Sequence, residues 1–173
     1  MSKRPELKNR RIIHYPDPRL RDKAAEISEF DSYLDELRGR MAELMNEEKG
    51  VGLAATQLGL PFRVVLLSMT GEAEDVELFV NPTILDREGR IVDQEGCLSV
   101  PGIFAKVRRA ERVRVRAMTP NGETVEMEAE GLLARAWQHE IDHLEGGLFI
   151  DRVGPTSKIL LKPRLRELEE EYR

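Results

Sequence analysis

The sequence predicts an α+β fold, in which small antiparallel sheets pack around a central helix and a further helix ends the chain. Two segments have the apolar spacing of amphipathic helices, and several short β-branched runs are typical of strands. Strands and helices do not alternate regularly, which argues against a parallel α/β sheet. A length of 173 residues is usual for one domain, so we expect a single domain over residues 1–173.

The first predicted helix lies at Ser32–Lys49. Asp31 or Ser32 is placed to cap its start, and Gly50 and Gly52 end it. Its apolar residues have the spacing of one helical face: Leu34, Leu37, Met41, Leu44 and Met45. We therefore expect this face to pack on the core.

Two apolar runs after this helix predict strands. Phe62–Ser68 is short and β-branched, which is typical of a buried strand. Glu77–Val80 is a second run, and we expect the Asn81-Pro82 pair to end it because this pair is a turn signal.

Residues 112–129 predict a β-hairpin with one buried, apolar face (the dry face) and one solvent-exposed, charged face (the wet face). Apolar and charged residues alternate on both sides of the Pro120-Asn121-Gly122 turn. The wet face is basic on the first strand, at Arg112, Arg114 and Arg116, and acidic or polar on the second. Opposite charges on neighbouring strands favour this pairing.

The last two predicted elements are helices. Leu132–Glu145 is closed by Gly146-Gly147, and both of its sides carry apolar residues that we expect to be buried, Leu132 and Ala136 among them. Lys158–Tyr172 predicts a final helix that is interrupted or restarted at Pro163.

Composition and charge exclude several classes of protein. The net charge of −5 argues against a general nucleic-acid binder or a membrane-surface binder, which carry a basic excess. No apolar run approaches the roughly 18 residues that span a bilayer, and no apolar stretch follows the basic N-terminus. Because Cys97 is the only cysteine, it forms no intramolecular disulfide, and we expect a cytoplasmic location.

The segment QHEIDHLEG (138–146) contains the pattern H-E-x-x-H within the penultimate helix. His139 and His143 are about one turn apart and project from one face, so two imidazoles can bind one cation. Glu140 lies beside them, within reach of the proton of a bound water. The alternative is a pair of core histidines bonded to carbonyls. Two of the three histidines of the chain lie in this pattern, which favours a metal-binding central helix.

A third metal ligand is needed, and the sequence offers two sources. The position that holds a downstream histidine in one protease family is Phe149 here, although the final helix supplies Glu167, Glu169 and Glu170. Cys97 lies upstream, after Gly96, and a thiolate is a strong donor for a first-row divalent metal. Spacing alone leaves both sources open.

A third stretch, GVGLAATQ (50–57), consists mainly of small residues and ends in Gln57, whose amide can donate a hydrogen bond. A tight loop in which Gln57 is merely polar is the alternative. Its G-x-G lacks the strand-before, helix-after context of a dinucleotide loop, so we reject nucleotide binding.

Together these stretches resemble the signature segments of peptide deformylases: GVGLAATQ (50–57), EGCLS (95–99) and QHEIDHLEG (138–146). They occur in the order of that family and at similar separations. HYPDPRLR (14–21) extends the similarity, which covers most of residues 11–152 and leaves residues 155–173 as a C-terminal helical tail. The resemblance implies a single catalytic domain.

The resemblance also implies the roles of individual residues. The metal ligands would be Cys97, His139 and His143. Glu140 would be the general acid/base, and the side chain of Gln57 with the backbone N–H of Leu98 would stabilise an oxyanion. Such relatives typically hold iron(II), and zinc, nickel or cobalt also suit the donor set.

For the substrate, the resemblance implies that Gly52 binds the peptide backbone and that four residues surround a methionine side chain: Val51, Leu132, Arg135 and Ala136. Arg135 is unusual in an apolar pocket, unless its stem packs there and its head reaches water. In similar proteins Glu95 pairs with a downstream arginine, here Arg109, with a solvated surface arginine as the alternative.

The implied activity is removal of the N-formyl group from the N-terminal methionine of newly made polypeptides, with release of formate. The partners would be these nascent chains and, transiently, the ribosome, without nucleic-acid specificity and without a membrane. Two rivals are an endopeptidase that does not depend on Cys97 and a non-catalytic domain with a structural metal. The second rival needs a fourth ligand, for which His14 is the only spare histidine.

Overall fold

The structure, a computed structural model, describes residues 4–173 and has the predicted α+β architecture. Its strands are β1 (Gly52–Ala54), β2 (Val64–Ser68), β3 (Val76–Glu88), β4 (Ile91–Cys97), β5 (Val100–Arg109), β6 (Arg112–Met118) and β7 (Thr124–Glu130). Five of them form an antiparallel sheet in the order β1-β2-β3-β6-β7, and β4 pairs with β5 in a separate two-stranded sheet.

The helices are α1 (Ser32–Glu47), α2 (Gly131–Leu144) and α3 (Pro155–Glu171). The bounds of α1 and α2 lie within two residues of those predicted. Asp31 caps α1, since its carboxylate accepts a hydrogen bond from the backbone N–H of Tyr33. Within residues 4–173, no helix is both long enough and apolar enough to cross a bilayer.

The larger sheet lies between α1 and α2, and β2 shows why. All five of its residues are buried, because its side chains alternate between the two faces. Leu66 packs in the cluster that contains α1, whereas Val65 packs in the cluster that contains α2. Trp137 of α2 is fully buried with its ring 4.8 Å from that of Phe79 in β3. This packing fixes the face of α2 opposite its histidines.

The predicted end of the strand at Asn81-Pro82 is wrong, since β3 continues through this pair to Glu88. Pairing with β6 passes from Val80–Met118 to Thr83–Arg116, so two residues of β3 oppose one of β6. This is a β-bulge, in which Pro82 needs no N–H for the ladder. Asn81 has a φ of 51° and exchanges side-chain hydrogen bonds with the backbone of Ile27.

The predicted interruption of the last helix at Pro163 is also wrong, because α3 is continuous and begins three residues before Lys158. Pro155 occupies its first turn, where a missing N–H costs nothing. Leu161 lies before Pro163, and Leu165 and Leu168 lie after it, in the same apolar cluster. This packing on both sides holds the helix together despite the proline.

The hairpin prediction is confirmed by β6 and β7. Each arginine of the wet face lies opposite a glutamate, in the pairs Arg112–Glu130, Arg114–Glu128 and Arg116–Glu126. The dry face contributes Val113, Val115 and Ala117 to the core under α2.

The sequence did not predict β1, β4 and β5. The glycine-rich stretch contains β1 followed by a short 3-10 helix at Ala55–Leu58. The outer part of β4, at Val92, Asp93 and Gln94, is exposed, and its polar residues do not alternate clearly. The β4–β5 pair nevertheless matters most for function, since β4 ends at Cys97.

Candidate metal centre

The structure brings the three predicted ligands together. His139 and His143 project from one face of α2 with their ring centroids 5.0 Å apart, and Cys97 ends β4 beside them. One donor atom of each residue lies within 4.8 Å of the others. The thiol Sγ is 3.4 Å from Nε2 of His143. Two distant parts of the chain therefore converge on one point.

The donor set fits a divalent first-row metal ion. A thiolate and two imidazoles suit zinc, iron(II), nickel and cobalt alike. Burial lowers the pKa of His143 well below its usual value, which favours the neutral imidazole. Burial also lowers the pKa of His139, but its hydrogen bonds to Cys97 and Glu95 outweigh this and raise it well above the usual value, so a cation that binds there would displace a proton. Three protein ligands also leave room for a solvent or substrate ligand, as in catalytic rather than structural sites.

Glu140 is buried between this cluster and the glycine-rich strand. Its Oε1 lies 4.0 Å from Nε2 of His139, and its Oε2 has no hydrogen-bond partner among residues 4–173. Burial raises the pKa of Glu140 to about 7, although His139 and Arg109 lower it. A Cβ on Gly52 would lie 3.0 Å from Oε1, so the glycine allows this carboxyl to approach the strand. A carboxyl with a pKa near neutrality is suited to accept and return a proton.

Gln57 lies in the 3-10 helix after β1, with a fixed amide orientation. Its Oε1 accepts a hydrogen bond from the backbone N–H of Ala54 at 2.9 Å. Its Nε2 donates to Oγ of Ser99 at 3.1 Å and lies 3.6 Å from Sγ of Cys97. Leu98 directly follows Cys97 in the β4–β5 turn. Both predicted oxyanion donors thus lie beside the sulfur atom.

Glu95, near the end of β4, is almost fully buried and receives four donor contacts. Arg109 donates to both of its oxygens, at 2.8 and 2.9 Å, and His139 contacts Oε1 through Nδ1 at 3.0 Å. Burial raises the pKa of Glu95, but the hydrogen bonds from Arg109 and His139 outweigh it and bring it to about 2. The Glu95–Arg109 pair is confirmed, and the alternative of a solvated arginine is wrong, since Arg109 is 5% exposed.

The fourth contact of Glu95 comes from Arg135, which corrects an expectation. The head of Arg135 does not reach water, because the residue is 5% exposed and Nη2 donates to Oε2 of Glu95 at 2.7 Å. Asp142 joins the same network by accepting from Arg109 at 2.7 Å. Sequence reasoning missed Asp142, although it lies inside the H-E-x-x-H segment.

The remaining predicted pocket residues differ in exposure. Val51 and Leu132 are exposed apolar residues, at 38% and 64%, while Gly52 and Ala136 are partly buried. The expected burial of Leu132 is wrong, because it lies at the open N-terminal end of α2.

The alternative ligands lie elsewhere. The ring of His14 stacks on that of Tyr172 at 4.4 Å. Glu169 accepts a hydrogen bond from the hydroxyl of Tyr15, and Glu167 accepts one from Arg164. Among the described residues, the cysteine and two histidines form the only cluster of this kind.

A family model described as Polypeptide deformylase matches residues 9–158, which is most of the chain. The chain belongs to the peptide deformylase family. Relatives named peptide deformylase span nearly the same length. That of Acidobacterium capsulatum is 46% identical over 92% of this chain and 95% of its own, and that of Alkalilimnicola ehrlichii is 45% identical over 94% and 92%.

Solved peptide deformylase structures share the fold of this family member. The Thermus thermophilus enzyme is 41% identical, covers 94% of this chain and 98% of its own, and superposes with a TM-score of 0.86. The Plasmodium falciparum enzyme is 36% identical, covers 94% and 96%, and has a TM-score of 0.90. This chain is therefore a deformylase over almost its whole length, including the segments that form the cluster.

Proposed function

We propose that this enzyme removes the N-formyl group from the N-terminal methionine of newly made polypeptides and releases formate. The observation that carries the proposal is the convergence of Cys97, His139 and His143, with donor atoms within 4.8 Å of one another, beside the buried Glu140. Membership of the peptide deformylase family connects this geometry with hydrolysis of a formamide.

Cys97, His139 and His143 would hold one divalent metal ion. Such an ion, when bound, lowers the pKa of water towards neutrality and polarises a carbonyl oxygen. We propose iron(II) as the native ion because the family typically uses it, while zinc, nickel and cobalt satisfy the same donors. The burial of His143 and the partial burial of Cys97 and His139 restrict this position to a small ligand or the end of a substrate.

Glu140 would move the proton. As water adds to the formyl carbon, the Glu140 carboxylate accepts a proton from it, and cleavage of the C–N bond delivers that proton to the leaving amine. A pKa of about 7 supports both halves of this role, because the carboxyl exchanges a proton readily near neutral pH.

Gln57 and Leu98 would stabilise the negative charge that grows on the formyl oxygen. The amide of Gln57 is fixed by Ala54 and Ser99, so its N–H groups need little reorganisation. One such donor contributes about 3 kcal/mol to lowering a barrier of this kind. The backbone N–H of Leu98 would act as the second donor.

Gly52 would bind the peptide backbone of the substrate, with Val51, Leu132 and Ala136 around the methionine side chain. The exposure of Val51 and Leu132 supports this placement, since a ligand that covers them buries apolar surface. We further propose cytoplasmic action on nascent chains and a transient encounter with the ribosome.

The decisive experiment measures formate release from formyl-Met-Ala-Ser under anaerobic conditions, with and without a chelator. We expect turnover that the chelator abolishes and divalent metal restores. Glu140→Ala should bind metal as the wild type does, yet lose roughly 100-fold to 10,000-fold in turnover. An unchanged rate for Glu140→Ala would remove its assigned role, and cleavage of internal peptide bonds without formate release would favour the endopeptidase.

A further inference from the structure

Arg135 is the one buried arginine on the helix that carries both histidines, within the described residues, and its contacts all run towards β4 and β5. Nη2 carries two hydrogens, and its two shortest contacts are Oε2 of Glu95 at 2.7 Å and the carbonyl of Asp93 at 3.0 Å. The carbonyls of Ile91 and Val107 lie at 3.4 and 3.3 Å from the same guanidinium. Arg135 therefore contacts both strands of the smaller sheet.

The position of Arg135 on α2 couples these contacts to a metal ligand. Arg135 and His139 are four residues apart, so they lie one above the other on the same helical face. Both bind Glu95, Arg135 at Oε2 and His139 at Oε1. The carboxylate of Glu95 is thus bound by side chains from two consecutive turns of α2. These two contacts fix the orientation in which the carboxylate accepts a hydrogen bond from Nδ1 of His139.

The same contacts join the two elements that supply donor atoms. Glu95 lies two residues before Cys97 on β4, while His139 and His143 belong to α2. Arg109, on β5, also binds Glu95, but its third nitrogen is committed to Asp142. The link from the N-terminal part of α2 to the backbone of β4 is therefore made by Arg135.

We propose that Arg135 is a positioning residue that holds β4 to α2 and orients Glu95 against His139, rather than a wall of the methionine pocket. This inference rests on the proposed function, because it concerns the same site. Partners of metal-bound histidines fix the ring orientation, and their loss typically weakens metal binding about 10-fold to 100-fold.

The test compares Arg135→Met, Arg135→Lys and the control Arg63→Met. Arg63 is also buried, and it donates to Glu145 just after α2 and to the carbonyl of Pro82. It therefore resembles Arg135 in burial and in binding one carboxylate and a backbone carbonyl, but it does not contact Glu95. Four measurements are made on each variant: the melting temperature, the dissociation constant of cobalt(II) by chelator competition, the visible spectrum of the cobalt(II) form, and the steady-state kinetics (KM and kcat) with formyl-Met-Ala-Ser.

We expect Arg135→Met to raise the cobalt(II) dissociation constant about 10-fold to 100-fold and to shift the cobalt(II) spectrum. Its KM should stay within roughly twofold of the wild type, because no substrate contact is lost. Arg135→Lys should restore part of the affinity, since an ammonium donates to Glu95 as a point charge but does not span both acceptors. Arg63→Met should lower the melting temperature while leaving cobalt(II) affinity and the spectrum unchanged.

Three outcomes would overturn the inference. Wild-type cobalt(II) affinity in Arg135→Met would do so, and a KM raised more than about fivefold at normal affinity would return Arg135 to the pocket. An equal loss of affinity in Arg63→Met would mean that general destabilisation is the cause. Absence of formate release by the metal-loaded wild type would instead contradict the proposed function.

Discussion

Arginine and glutamate pair in two regions of this enzyme with opposite consequences. On the β6–β7 hairpin, the Arg112–Glu130 pair joins side chains that are 65% and 77% exposed, at 3.5 Å. At the candidate metal centre, the side chains of Arg109 and Glu95 are 2% and 9% exposed and lie 2.8 Å apart. Water competes for the first pair and is excluded from the second. The same residue types therefore contribute solubility and strand register in one region and a rigid scaffold in the other.

The buried network has a structure that the hairpin lacks. Arg109 binds Glu95 and Asp142 together, and Asp142 also accepts from Arg152. Each partner therefore depends on another, and removal of one leaves a buried charge uncompensated. The side chains of the hairpin pairs are about half exposed or more, so the loss of one partner leaves only charges that water already solvates.

Among the substitutions in these two regions, Arg109→Met should lower the free energy of unfolding the most. Two nearly buried carboxylates, Glu95 and Asp142, would lose a shared cation, and we expect the free energy of unfolding of the metal-free enzyme to fall by about 3–5 kcal/mol. Urea unfolding followed by circular dichroism measures this loss. A decrease below about 1 kcal/mol would mean that the buried network contributes no more to stability than the exposed ion pairs of the hairpin.

Substitution of a charged residue in the β6–β7 hairpin should lower the free energy of unfolding by less. Glu126 contacts Arg114 and Arg116 at 3.6 and 3.2 Å, and all three side chains are about half exposed. Glu126→Ala should therefore lower the free energy of unfolding by at most about 1 kcal/mol, and added salt should reduce the difference. The same urea titration at low and high ionic strength checks this. A larger loss that persists in salt would show that the hairpin is not merely a solvated face.

A partly buried hydrogen bond from the hydroxyl of Tyr15 to Glu169 attaches α3 to the N-terminal segment. Burial first, and then the hydrogen bond to Glu169, raise the pKa of Tyr15 from 10.0 to about 12. Because the folded state keeps this proton longer than the unfolded state, the contribution of Tyr15 is complete below pH 10 and is lost as the pH rises towards 12. We expect the melting temperature of the wild type to fall more steeply over this range than that of Tyr15→Phe. Parallel curves would mean that the phenol does not titrate differently in the two states.

The sequence predicted the elements whose pattern is local. α1 and α2 repeat apolar residues with helical spacing, and β6 and β7 alternate around a turn, so their positions follow from neighbours in the chain. β3 was predicted too short because the bulge at Asn81-Pro82 is stabilised by Ile27, a contact between distant residues. The continuity of α3 through Pro163 likewise depends on tertiary packing.

The candidate site also has one part that follows from a local sequence pattern and another that depends on contacts between distant residues. His139, Glu140 and His143 follow from one helical motif, whereas spacing left Cys97 as one of two sources for the third ligand. The family resemblance selected Cys97, and the position of β4 beside α2 supplies the physical reason. The function of Arg135 could not be predicted, because two of the acceptors of its guanidinium are backbone carbonyls of β4, a strand without a clear pattern.

We propose that Cys97, with the two histidines, binds the metal ion on which deformylation depends. Metal content and formate release should be measured on the same anaerobic preparations of the wild type and of Cys97→Ala. We expect about one divalent ion per wild-type chain. Cys97→Ala should lose that ion and also lose more activity than the roughly 100-fold attributed to outer partners. A Cys97→Ala enzyme that keeps its metal and its turnover would show that the thiolate of Cys97 is not a ligand of the catalytic ion.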